Sequence, residues 1–68
     1  MYSVSIRSLD LDGMPHVFLK KDNDPGIVML PKTARERADE EERFGDVEIA
    51  ERLREAAQLA FEGVYQDT

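Results

Sequence analysis

Eight acidic side chains in the second half of the chain are spaced to act together. Asp39, Glu40, Glu41 and Glu42 form one run, and Glu48, Glu51, Glu55 and Glu62 follow at helical intervals. An ionised carboxylate only accepts hydrogen bonds. A row of them therefore attracts cations, above all the lysines and arginines of another protein's basic surface. The remaining chemistry-bearing residues offer less. His16 is the only histidine, and it has no second metal-type side chain fixed beside it, so a plain surface histidine is expected. Ser3, Ser5 and Ser8 have no nucleophile-elbow or triad context. Asp10 with Asp12, and Asp22 and Asn23 with Asp24, suggest calcium at first sight. Calcium needs six to eight oxygens around one point, and these clusters belong to two different turns. Turn chemistry explains both, and no metal or cofactor is expected. With no glycine-rich phosphate loop either, the reading is a non-enzymatic protein.

The charge is unevenly distributed. Net charge is −6. Up to Lys32 four basic residues cancel four acids, and from Thr33 onward five arginines face eleven acids, so the whole imbalance lies in the second half. Such a surface is repelled by nucleic acid and by anionic membranes. Direct nucleic-acid binding and membrane association are therefore not expected. No apolar run approaches membrane-spanning length, and MYSVSIRSLDLDG does not read as a secretory signal. The expected location is cytoplasmic. With 68 residues and no cysteine, one domain is expected, held by packing alone or by a partner chain.

The elements that must position these residues are legible in outline. Tyr2, Val4 and Ile6 alternate with Ser3, Ser5 and Arg7, the period of a half-buried strand. Asp12-Gly13 between Leu11 and Met14 is a type I′ hairpin signal. It pairs Leu11 with Met14 and Ile6 with Leu19. A second turn in DNDPG, residues 22–26, leads to a short apolar strand from Ile27 to Leu30. The result is an antiparallel meander over about residues 2–31 with the second strand in the middle. Pro15 is tolerable because the third strand covers only the far end of strand two. One sheet face carries Val4, Ile6, Val17, Leu19 and Met29. The other carries Leu9, Phe18, Val28 and Leu30, with Arg7, His16 and Lys20. Both faces are apolar and one helix covers only one of them. Leu9, Phe18, Val28 and Leu30 therefore form a candidate interface, for a homodimer or a tight hetero-complex.

The helical half covers about residues 33–64. Thr33-Ala34-Arg35-Glu36 has capping-box spacing and opens a short helix from Ala34 to about Arg43, with little to bury besides Ala34, Ala38 and Phe44. Gly45 ends it and Asp46 caps the next helix. From Val47 to Glu62 the apolar stripe is Ile49, Leu53, Ala57, Ala60 and Val64, flanked by Ala50 and Phe61. At about 100° per residue, Glu48, Glu51, Glu55 and Glu62 fall in one arc opposite that stripe. An ordinary solvated helix face explains such an arc. That is the favoured reading of the arc taken alone; the alternative, carried by its segregation into one half of the chain, is a surface that imitates spaced phosphates. The fold class is thus α+β: a three-stranded meander, a short helix, and a longer amphipathic helix packed on the sheet.

The order Tyr2-x-Val4-x-Ile6, Asp12-Gly13, Val17-Phe18-Leu19, Pro25-Gly26 and then an alanine-rich helix resembles the HicB-type antitoxins. That resemblance covers about the first half of the chain and breaks where the segment before the main helix lengthens. It implies a strand–strand–strand–helix unit that neutralises a small RNase toxin. In style, a compact acidic chain also resembles phage-encoded inhibitors of nucleic-acid machinery, anti-CRISPR proteins among them. The leading expectation is an acidic inhibitor that occludes a basic surface of a nucleic-acid-handling protein. An antitoxin-like module and a structural homodimeric assembly protein are the alternatives.

Overall fold

The computed structural model describes residues 4–22 and 24–65. The expected strand positions of Tyr2 and Ser3, and Asn23 of the second turn, lie outside the described residues. The element order is β1 (Val4–Leu11), β2 (Met14–Lys21), β3 (Ile27–Met29), α1 (Pro31–Arg43) and α2 (Val47–Phe61). The strands form one antiparallel sheet in the order β1-β2-β3, an α+β fold. Ile6 pairs with Leu19 and Leu11 with Met14. β3 meets β2 only from Val17 to Leu19, so Pro15 lies beyond it, opposite Asp10. The first turn has the backbone its residues demand: Asp12 at φ 55° and Gly13 at φ 81°, the two positive values of a type I′ turn.

Both helices pack on the same sheet face. Ile6, Val17, Leu19 and Met29 join Ala34 and Ala38 of α1 and Ile49, Ala50, Leu53, Ala56, Ala57 and Ala60 of α2 in one buried cluster. Small side chains let the two helices approach each other and the sheet closely. The cluster is therefore rich in alanine, with Leu53 and Val17 as its largest fully buried members. No helix or strand of the described residues covers the opposite sheet face.

Three local expectations are corrected. The first helix begins at Pro31, with Leu30 as its N-cap and no side-chain cap bond, and Ala34 N–H already donates to Leu30 C=O at 2.9 Å. Proline at the first helical position has its φ preset and lacks only a donor the helix does not use there. Thr33 is thus two residues inside, and the capping box does not form. Asp46 occupies the N-cap of α2, but its side chain makes no cap bond either. Finally, the stripe of α2 stops sooner than its period. Ala56 is buried, whereas Phe61 is 74% exposed and Val64 half exposed. For Val64 the cause is the helix end. Gly63 N–H donates to Ala60 C=O (3.1 Å) and Val64 N–H to Leu59 C=O (2.8 Å). That is the Schellman pair of bonds, with Gly63 at φ 80°. The reversal carries Val64 off the helical face. α1 ends in the same way, through Gly45 and Asp46 to Glu42 and Glu41, and leaves Phe44 82% exposed.

Candidate interaction surfaces

The acidic residues separate into three environments. Glu48, Glu51 and Glu55 are exposed along α2, opposite the side that Leu53 buries in the core. They are without a hydrogen-bond or ion-pair partner among the described residues. The Glu48–Arg52 pair that the i,i+4 spacing offers does not form; an Arg52 guanidinium N–H reaches the Val4 carbonyl instead, at 3.5 Å. Glu62, the C-cap of α2, accepts from the Gln58 amide at 2.8 Å, so it belongs to the same arc with one bond already made.

Asp39 and Glu42 of α1 are exposed but not free. Arg54 on α2 donates to Asp39 (2.9 Å) and to Glu42 (2.7 Å), which hold its guanidinium pKa above the ordinary arginine value, Asp39 first. Arg35 donates to Gln58 at 3.2 Å beside this clamp. The two helices are thus tied across their exposed seam. Glu40 remains exposed. Glu41 does not belong to the solvent-facing cluster at all. It is 5% exposed and forms a hydrogen-bonded ion pair with Lys21 of β2. One helical turn places position 41 over the sheet as it places Ala34 and Ala38, and a carboxylate there is compatible with burial only because Lys21 meets it.

The uncovered sheet face holds the apolar candidates in unequal states. Phe18 is partly buried. Its ring lies under the Arg7 guanidinium, 5.3 Å from carbon to ring centroid, and against Gly26. A Cβ at Gly26 would sit 2.9 Å from Phe18 Cζ, and Gly26 has φ +88°, so glycine is required twice over. Val28 pairs with Phe18 and is exposed, as is Leu30 at the N-cap of α1. Leu9 is buried, 8% exposed, and offers little to a partner. Leu11 and Met14 extend the exposed apolar surface to the hairpin end. By register the strand residues of this face include Arg7, His16 and Lys20 and no carboxylate.

Sequence reasoning missed the Arg7–Phe18 stack, the Lys21–Glu41 pair, the Arg54 clamp and the buried Ser8, whose hydroxyl donates to the Val64 carbonyl at 2.8 Å. Only the stack had a local signal: the hairpin register sets Arg7 opposite Phe18. Among the described residues no group of three or more His, Cys, Asp or Glu could hold a metal ion. No helix among them is long and apolar enough to cross a membrane. Compared with known proteins, the chain matches no family model, no curated protein and no solved structure.

Proposed function

We propose that this protein is a non-enzymatic, acidic interaction module that works in the cytoplasm. It covers a basic surface of a nucleic-acid-handling protein and so inhibits it. The supporting observation is the set Glu48, Glu51 and Glu55: three exposed carboxylates without partners, held on one side of a helix whose other side is buried. A rigid anionic row loses little conformational freedom on binding, and its field accelerates encounter with a cationic cleft. Glu62 extends the row, Glu40 adds a separate exposed carboxylate on α1, and Asp39 and Glu42 contribute less because Arg54 already neutralises them.

The test is competition. A partner captured on the immobilised protein should be released by a short DNA duplex and by raised salt. The Glu48→Lys, Glu51→Lys, Glu55→Lys variant, with unchanged circular dichroism, should fail to hold it. Full retention by the folded variant, or capture indifferent to duplex and salt, would overturn the reading. The exposure of Val28 and Leu30 beside Phe18 favours a second reading, an antitoxin-like module or homodimer that binds through the sheet face. Salt-insensitive capture lost in Phe18→Asp would select it.

A further inference from the structure

The two unsatisfied surfaces of this chain are complementary to each other. Arg7 sits on the uncovered sheet face over the Phe18 ring, makes no ion pair among the described residues, and has a buried Nε with no hydrogen-bond partner. His16 donates Nδ1–H to the Met14 carbonyl, 3.0 Å away, and its other ring nitrogen has no partner among the described residues. Lys20 is exposed, its ammonium donating to the Asp22 carbonyl at 3.0 Å. This face therefore offers cations beside apolar Val28 and Met14, both about half exposed. The outer side of α2 offers Glu48, Glu51 and Glu55. Within one copy the sheet's helix-bearing side and the core of α2 lie between the two surfaces, so they cannot meet.

We infer that the occupant of the open sheet face is the acidic side of α2 from a second copy of this chain. Carboxylates of the incoming helix reach Arg7 and Lys20, and Val28 is covered in the same contact. A face-to-face dimer would instead bring two faces together that each carry Arg7 and Lys20 and no strand carboxylate to meet them. The ridge-to-face contact is heterologous, so a pair retains one free ridge on one copy and one free face on the other, and copies add in a row rather than stopping at two. It rests on the reading that the ridge binds cationic protein surfaces, and it makes self-association a competitor of the foreign partner.

Sedimentation of the protein alone, at low salt and rising concentration, reads the inference. The average mass should climb from the 7.8 kDa monomer past twice that value without a plateau, and should return to the monomer near 1 M salt, where the Debye length falls to about 3 Å. The ridge variant Glu48→Lys, Glu51→Lys, Glu55→Lys should stay monomeric alone. Added to wild type it should shorten the assemblies, because its intact face takes one ridge while its reversed ridge accepts no further copy. Mixed with Arg7→Glu, Lys20→Glu, itself monomeric, it should restore association. Should the Arg7 change disturb the fold, Lys20→Glu alone replaces it. A wild type that stays monomeric throughout overturns the inference, and a dimer plateau unaffected by the ridge variant overturns it in favour of a face-to-face pair. A monomeric wild type whose ridge still captures a foreign basic partner leaves the proposed function standing.

Discussion

Leu53 is the largest fully buried side chain and lies where α2 meets both α1 and the sheet. Its replacement by alanine should cost ~2–5 kcal/mol, a large share of what a domain this small possesses. Thermal or urea unfolding reads it, and an unchanged midpoint would move Leu53 out of the core. Gly26→Ala should also destabilise, because the new methyl meets Phe18 at a positive φ. Glu41 needs a different experiment. Truncating it to alanine strands the Lys21 ammonium, whereas replacing both partners with methionine removes the charge and its counter-charge together. The double variant should therefore be more stable than Glu41→Ala; the reverse order would mean that the unpaired Lys21 ammonium is not stranded but reaches solvent. At this scale the sequence revealed what repeats and hid what does not. Leu53 and Val17 follow a period. Glu41 and Lys21 are separated by 20 positions, and nothing local announces that one member of an acidic run folds inward.

For whole elements, legibility followed the strength of the local signal. The hairpin was fully readable because Asp12-Gly13 fixes the turn, and the turn fixes the register from Val4–Lys21 to Leu11–Met14. Most of α2 was readable from its 3.6 period, and its last turn was not, because Gly63 ends the helix before the apolar pattern stops. In α1 two start signals competed, Pro31 and the Thr33–Glu36 spacing, and proline prevailed because its φ is set in any context. Thr33→Ala is a direct check. A threonine inside the first turn is worth little, so the change should lie within about 0.5 kcal/mol, whereas a lost cap would cost ~1 kcal/mol. The candidate surface was legible in type, an acidic arc on α2, but not in membership. Whether each acid is free depends on Arg54 and Lys21, which arrive from other elements.

The molecule as a whole carries charge of one sign on the helical layer and of the other on the open sheet face, with a net −6. Two terms then set how salt acts on the fold of a single copy. Screening weakens the Arg54 pairs with Asp39 and Glu42, which are exposed and therefore worth little. It also relieves the repulsion among the acids of the second half, where Glu51 and Glu55 are i,i+4 neighbours of like charge. The excess of acids over bases means that relief should win. At concentrations low enough to keep the protein monomeric, its melting temperature should rise as salt increases from 0.01 M to physiological strength, over which the Debye length falls from about 30 to 8 Å. The variant Glu51→Gln, Glu55→Gln should melt higher than wild type at the low-salt end and respond less to salt. Glu48 is left in place there because it stands in the first turn of α2, where the helix dipole favours an acid. A melting temperature that falls with salt in the wild type would mean that the Arg54 clamp outweighs the ridge. The acidic side would then be a balanced surface rather than one with attraction to spare for a partner.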